Sequence, residues 1–391
     1  MKVLFFANRM PDLCGAFLHD IDLAIELQRR GHQVVFLTIK IPNEGYNGGH
    51  YRGFRYMHYS AATSFLDTSE VWICPHSPIL PDVRKVNSRG YNRPIVAPCH
   101  FDGNYTAITG NWNPKWQEML CFINSVMEAN YRKNIAPWPS NISRTEVVRP
   151  IMHRDKIVIP EEFHGDKITL INANQNKGTH VLYEIARRMP NRSFLGVLPY
   201  YGERTLPASP PQNIEWVKFD DDIRNVLRQT RILLMPSYYE SYGRVAVEAM
   251  INGIPVIYSR PAVKSLYPGG STEGLHEWIQ PAGISANRDD FAEWCTEIEK
   301  LDSSETYAAK SEQSKTHIES MNLFTEAGRI VGLVEAFARQ NPVEIRSSMA
   351  VIARDPAPGP GARQEAPRPR EPVNLGRAGF GFSNGRLKIQ R

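Results

Sequence analysis

The period of apolar and polar positions changes repeatedly along this chain, and each change marks an element. Met1–Ala7 is an almost continuous apolar run, the pattern of a strand covered on both faces. After a loop, Leu18, Ile21, Ala24, Ile25 and Leu27 recur at helical spacing, which predicts a helix over Phe17–Arg30 ended by Gly31 and His32. Gln33–Ile39 is apolar again, so the chain opens with strand, helix, strand, the start of a parallel doubly wound layer. Val71–Cys74 and Ile95–Pro98 read as further strands, Met119–Tyr131 as a helix and Glu146–Pro150 as a short strand before a linker.

The alternation then begins afresh. Ile168–Asn172 predicts a strand, Gly178–Arg188 a helix, Ser193–Leu198 and Ile214–Phe219 two more strands, and Asp222–Arg228 a helix. The run Ile232-Leu233-Leu234-Met235 is the next strand, and Pro236-Ser237 turns the chain after it. Asp289–Leu301 places Phe291, Trp294, Ile298 and Leu301 on one helix face, and Leu323–Arg339 is a last amphipathic helix. Two α/β series in succession predict two Rossmann-like domains facing a central cleft. The length of 391 residues agrees, being more than one ordinary core holds.

Composition narrows the class. With 42% hydrophobic and 22% charged residues, the chain is expected to be a soluble globular protein. Its five cysteines (14, 74, 99, 121 and 295) are scattered without a C-x-x-C pair, which points to neither a disulfide framework nor a zinc site. The N-terminal apolar run is too short for a signal peptide, and no stretch approaches the roughly 20 apolar residues that span a bilayer. The expected setting is cytoplasmic, with no stable membrane insertion. The net charge of +5 is unevenly spread. Basic groups prevail over residues 1–155, acidic groups over 156–345, and residues 346–391 carry nine basic against three acidic side chains. That last segment is rich in Pro, Gly and Arg and has no apolar period, so it is expected to be a disordered basic tail. It reads either as an electrostatic tether for an anionic partner or as a solvated appendage.

The densest chemistry lies in Glu240-Ser-Tyr-Gly-Arg-Val-Ala-Val-Glu248, where two carboxylates stand eight residues apart with Gly243 between them. Strand, turn and then a helix whose first turn carries Glu240 is the local reading. Eight residues along such a helix turn the acids about 80° apart, so both can border one cleft. The helix start offers free N–H groups and a positive dipole end to a diphosphate. Asn172-Ala-Asn-Gln-Asn-Lys177-Gly178 likewise leaves a strand and opens a helix, which places Lys177 for an anionic ligand. Asp220-Asp-Asp222 reads as a helix-capping run rather than a metal motif.

The pattern Pro-Ser-x-x-Glu-Ser-Tyr-Gly-x-x-x-x-Glu-Ala-Met, followed by Asn252-Gly253-Ile254-Pro255-Val256-Ile257, resembles the donor-site motif of retaining, nucleotide-sugar-dependent glycosyltransferases of the group 1, family 4-like kind, whose fold is GT-B. The resemblance implies an acceptor domain over 1–155, a donor domain over 156–320, and a helix in 321–345 that crosses back, with the tail beyond. It implies that Glu240 contacts donor sugar hydroxyls and that Glu248 binds the ribose. The backbone at Tyr242 and Gly243 would line sugar and phosphate, and Lys177 with Gly178 would face the diphosphate. The family's arginine before Lys-Gly is missing; Asn172, Asn174 and Asn176 stand there, and an Asn such as Asn174 is expected to hydrogen-bond the donor instead. Gly15 matches one glycine of the family's donor-side loop, and His100 resembles its cleft histidine. Glu240, His100 and Lys177 are thus the expected catalytic group. His76, Asp102 and the aromatic stretch from Tyr105 to Trp116, including Trp112, are acceptor-side candidates that could stack on a sugar or a base.

The activity so implied is glycosyl transfer from a UDP- or GDP-sugar to a hydroxyl, with retention at the anomeric carbon. No metal or cofactor is expected beyond the nucleotide sugar as co-substrate. The expected acceptor is a saccharide or other small glycoconjugate. A hydroxymethylated base in DNA is the alternative raised by the basic tail and the aromatic stretch. A nucleotide-sugar binding protein without turnover is the alternative of another class.

Overall fold

The computed structural model describes residues 1–10, 15–40, 48–75, 79–102, 115–135, 137–199, 209–261 and 271–345, and the strand segments 381–383 and 386–388. The first sheet holds β1 (Lys2–Ala7), β2 (Gln33–Thr38), β3 (Gly49–Tyr51), β4 (Phe54–His58), β5 (Val71–Ile73), β6 (Ile95–Cys99), β7 (Glu118–Phe122) and β8 (Ile142–Val147). Their order is β3-β4-β2-β1-β5-β6-β7-β8, parallel throughout except for the edge pair β3–β4. The second sheet holds β9 (Lys167–Ile171), β10 (Phe194–Val197), β11 (Ile214–Val217), β12 (Thr230–Met235), β13 (Val256–Ser259) and β14 (Ile284–Ala286). It is wholly parallel in the order β11-β10-β9-β12-β13-β14, the doubly wound arrangement in which strand order reverses between β9 and β12.

The helices of the first sheet are α1 (Gly15–Arg29), α2 (Thr63–Thr68), α3 (Leu80–Asn87) and α4 (Ser125–Asn134), and α5 (Arg154–Ile157) follows in the connection to the second sheet. Those of the second are α6 (Thr179–Arg188), α7 (Ile223–Leu227), α8 (Arg244–Met250), α9 (Glu273–Ile279), α10 (Phe291–Lys300) and α11 (Ser304–Ser320). The chain then returns. α12 (Glu326–Gln340) buries Ile330, Val331, Val334 and Phe337 in the core that Ile21, Ala24 and Leu27 of α1 form with β1 and β2. Glu335 of α12 meets His32 Nε2 at 2.9 Å and Arg30 Nη1 at 3.3 Å, which fixes the return at the end of α1.

Several elements differ from the sequence reading: β3, β4, α2, α3, α9 and β14 have no counterpart in it, the strand expected at Glu146–Pro150 is β8, and two further differences show why. The helix expected over Met119–Tyr131 is strand β7 followed by α4. Glu118–Phe122 is buried at every position and pairs residue by residue with Ile95–Cys99. A fully covered strand has no period to display, and the cap that starts the real helix stands inside the apolar run: Asn124 Oδ1 accepts from Met127 N at 2.7 Å. The second is α11, 17 residues mostly exposed, whose polar sequence shows no apolar stripe.

Residues Met349–Arg391 form a separate unit, described only by β15 (Gly381–Ser383) paired antiparallel with β16 (Arg386–Lys388). The expectation of a disordered tail otherwise falls outside the described residues. Among the described residues no helix is long and apolar enough to cross a membrane.

Candidate functional site

The reversal between β9 and β12 sets the site, because loops leaving two such strands diverge and open a crevice at their carboxyl ends. After β9, Asn172 takes a positive φ of 64°. Asn174 then closes a turn, with Oδ1 accepting from Lys177 N at 3.0 Å and Nδ2 donating to Asn172 Oδ1 at 3.1 Å. The Asn174 amide is therefore engaged in shaping the loop that presents Lys177. Gly178 has φ 81°, and a Cβ there would lie 2.3 Å from the Pro236 carbonyl oxygen, so only glycine lets this loop rest on the end of β12. Tyr238 N donates to Asn176 O at 2.9 Å and joins the two loops.

This contact brings the Lys177 ammonium onto the Glu240 carboxylate in a charged pair, and Ser237 Oγ donates to the same Glu240 oxygen at 2.9 Å. Glu240 is nearly buried, whereas the Lys177 side chain keeps 27% of its exposure. One expectation is corrected here. Glu240 lies in the loop before α8, not in the first turn of a helix, because Gly243 adopts φ 77° and the helix begins only at Arg244. The positive φ at Gly243 disfavours any side chain, and an added Cβ would also press on Leu275 Cδ1 at 2.7 Å. The α8 start has no side-chain cap, so its N-terminal amides have no side-chain acceptor.

Glu248 lies one turn into α8, where Arg244 Nε donates to Glu248 Oε1 at 3.2 Å. The same guanidinium reaches α1 of the other sheet, with Nη2 donating to Asp22 Oδ2 at 2.9 Å. Lys156 of α5 adds a bond to Asp22 Oδ1 at 3.1 Å, and His153 Nε2 stands 3.4 Å from that oxygen. Burial works against the Asp22 charge, but His153, Arg244 and Lys156 outweigh it and hold the carboxyl well below the usual range. For Glu248 burial prevails over Arg244 and the carboxyl is raised.

On the first sheet His100 follows β6 and is buried, with Nε2 at 3.4 Å from Asp20 Oδ1 on α1. His19 packs edge-on against it, with ring centroids 5.0 Å apart. The donor atoms of His19, Asp20 and His100 lie within 4.8 Å of one another, a set with the chemistry of a transition-metal site. His19 does not fit that role. Its Nδ1 accepts from Ile151 N at 3.2 Å, which puts the proton on Nε2 and leaves neither nitrogen with a free lone pair. Burial, followed by the neighbouring His100 and Arg244, lowers the His19 pKa well below its ordinary value, and burial raises that of Asp20.

The loop after His100 meets the Glu240 loop directly. Asp102 N donates to Tyr239 Oη at 2.9 Å, Asn130 Nδ2 donates to Asp102 Oδ2 at 2.6 Å, and Asn124 Nδ2 donates to Ser241 O at 2.6 Å. Burial pushes the Tyr239 hydroxyl pKa up, which keeps it protonated. Glu240, Lys177 and Asp102 thus gather around one seam, with His100 two residues before Asp102 and facing Asp20 and His19 on the first sheet. Gly15 opens α1 with nothing within 4 Å of an added Cβ, so packing does not require glycine there.

Packing places the aromatic residues. The Tyr242 ring is buried and stacked on Trp278 at 5.3 Å, and the Tyr242 carbonyl accepts from Trp278 Nε1 at 2.7 Å. Trp116, from the aromatic stretch, is also core, with Nε1 donating to Glu118 Oε1 of the buried Arg84–Glu118 pair. His76 and Trp112 lie outside the described residues. Asp222 caps α7, with Oδ1 accepting from Arg224 N at 3.1 Å. A groove of about 490 Å³ bordered by Arg154, Phe163, Arg231 and Lys315 holds none of the seam residues. Asp20, Asp22, Tyr239 and Arg244 were missed by sequence reasoning, since their partners stand 80 to 222 positions away.

Comparison with known proteins places this geometry. The family described as glycosyl transferases group 1 matches residues 203–263, a span containing both Glu240 and Glu248. A stretch of 149 residues, 38% of the chain, is 29% identical to D-inositol 3-phosphate glycosyltransferase of Corynebacterium kroppenstedtii and covers 29% of that protein. Among solved structures, sucrose-phosphate synthase from Thermosynechococcus elongatus superposes with a TM-score of 0.66 at 13% identity, over 87% of this chain and 99% of that one. Anabaena HepE in complex with UDP-glucose superposes with a TM-score of 0.68 at 13% identity, over 86% of this chain and 100% of that one. The chain thus carries a group 1 glycosyl transferase segment within the two-sheet GT-B fold.

Proposed function

We propose that the protein is a retaining glycosyltransferase, moving a sugar from a UDP- or GDP-sugar to a hydroxyl of a saccharide or small glycoconjugate in the cytoplasm. The observation that carries this is the meeting of Lys177 and Glu240 at the reversal of the second sheet, against the His100–Asp102 loop of the first. In transfer, the C1–O bond to the diphosphate breaks, the C1–O bond to the acceptor forms, and the acceptor proton passes to the leaving phosphate oxygen. That front-face route requires no protein nucleophile. The protein's task is to stabilise the charge growing on the diphosphate, the kind of preorganised electrostatics that usually dominates catalysis. Lys177 and the uncapped amides of α8 supply it, so no metal is needed for the charge. Glu240, positioned by Ser237, accepts from sugar hydroxyls; Glu248 accepts from the ribose; His100 lies beside the transferred sugar. The shared fold with HepE in complex with UDP-glucose supports a nucleotide-sugar donor. A modified-DNA acceptor has no support here, Trp116 being core and the rest of the aromatic stretch outside the described residues.

The test is product mass spectrometry from a panel of UDP- and GDP-sugars with saccharide acceptors, with and without chelator, and NMR of the new anomeric centre. Glu240→Gln is expected to lower turnover by about 100-fold or more while leaving thermal unfolding near the parent's. Near-normal turnover would remove Glu240 from its assigned role. An inverted product would remove retention, and loss of activity in chelator would remove metal independence. Binding of donor with no product across the panel would make the protein a sensor.

A further inference from the structure

We infer that Asp22 and Arg244 are positioning residues for the nucleoside half of the donor, together making the setting of Glu248 depend on the docking of one sheet's α1 onto the other's α8. The inference rests on the reading of Glu248 as the ribose-binding acid and adds the means by which that acid is held. One guanidinium forks between two carboxylates, with Nε on Glu248 at 3.2 Å and Nη2 on Asp22 at 2.9 Å. Only an arginine can do this, since a lysine offers a point charge without the planar fork. Asp22 is in turn held by Lys156 at 3.1 Å, with His153 at 3.4 Å, and His153 Nδ1 stands 3.7 Å from Glu26. Three stretches of chain therefore converge on one buried carboxylate: α1, the connection between the sheets, and α8.

Docking alone does not explain such a network. A buried ion cluster stabilises no better than apolar side chains of the same volume, and often less well. What it adds is direction. Glu248 sits on α8 of the second sheet, yet the group that orients it is anchored on the first. Arg244 Nη1 is buried and has no hydrogen-bond partner, so the fork keeps a donor in reserve beside Glu248. Linkage then requires reciprocity: a nucleoside that draws on Glu248 favours the docked arrangement to the extent that docking favours the nucleoside.

The experiment uses the full chain. UDP, with GDP in parallel, is titrated calorimetrically into the parent, Glu248→Gln, Asp22→Asn, Arg244→Lys and the double variant Asp22→Asn/Glu248→Gln, with unfolding temperature measured on each. Glu248→Gln is expected to weaken nucleotide binding, and Asp22→Asn and Arg244→Lys to weaken it by about 5- to 10-fold. In the double variant, Asp22→Asn is expected to add less than about 2-fold, since it acts through Glu248. A purely structural clasp would lower the unfolding temperature without that pattern, and full additivity in the double variant would overturn the inference. Parent-like binding by Asp22→Asn and Arg244→Lys beside a weakened Glu248→Gln would overturn the coupling and leave the ribose reading standing. Parent-like binding by Glu248→Gln would overturn the ribose reading and this inference with it. Should Asp22→Asn fail to fold, Arg244→Lys, which keeps the charge and loses the fork, carries the same comparison.

Discussion

Glu240 and Glu248 stand eight residues apart, carry the same side chain, and are held in opposite ways. Glu240 sits in a loop, and its partners Lys177 and Ser237 both come from the second sheet's own strand ends. Glu248 sits on a helix, and its partner Arg244 is shared with Asp22, 222 positions away on the first sheet. The difference teaches that one acid of the candidate site has its side-chain partners within a single α/β layer, whereas the other has its partner shared across the two layers. A variant that disturbs one sheet's loops should therefore affect the sugar end, and one that disturbs docking should affect the nucleoside end.

The largest effect is expected from Gly178→Ala. Its Cβ would press on the Pro236 carbonyl from a φ of 81°, so the loop must shift and Lys177 must leave Glu240. Transfer should fall about 100-fold in kcat/KM. Affinity for UMP or GMP, whichever matches the donor, should stay within about 3-fold, since a monophosphate draws mainly on the Glu248 end. An equal loss in both measurements would erase the distinction between the two ends. A middle effect is expected from Tyr239→Phe, which leaves the Asp102 amide without its acceptor at the Glu240 end of the seam. Chemical denaturation should show a loss of about 1 kcal/mol, and acceptor KM should rise more than donor KM.

The smallest effect is a pH dependence of stability that arises on the first sheet, at His19. His19 is buried neutral with a folded pKa below its ordinary 6.5, so the unfolded chain binds the extra proton first. The stability it contributes is present above pH 6.5 and is lost as pH falls toward the lowered folded value, at a slope of at most about 1.4 kcal/mol per pH unit. His180 shifts in the same direction through burial and Arg288. Asp22, held low, stays charged across that window. Unfolding temperatures from pH 5 to 7.5 should fall on the acid side in the parent and fall less in His19→Gln, whose amide oxygen can still accept from Ile151 N. Identical profiles for the two proteins would show that His19 is not the group involved.

Much of the fold was legible because a buried parallel strand and an amphipathic helix each announce themselves within a few residues. β1, α1, β2 and the β9–β12 series follow the apolar pattern closely. β7 was misread as helix because its five residues are covered on both faces and show no alternation, and α11 was missed because its few inward positions, Ser314 and Ile318 among them, form no apolar stripe. That Lys177, Gly178 and Glu240 stand near one another was legible because each lies just beyond a strand end of one α/β layer. The helical placement of Glu240 failed on the left-handed turn at Gly243, a conformation that spacing does not reveal.

The sequence by itself determined two series of alternating strands and helices and the residue types just beyond their strand ends. These depend on hydrogen bonds and apolar contacts between neighbours in the chain or within one layer. Only the tertiary structure decided which charge meets which: that Arg244 answers to Asp22 as well as Glu248, that Tyr239 receives Asp102, and that Tyr242 and Trp116 pack inward. Electrostatic pairing acts through space over a few ångströms, and for these residues proximity is set by docking of whole layers rather than by position along the chain.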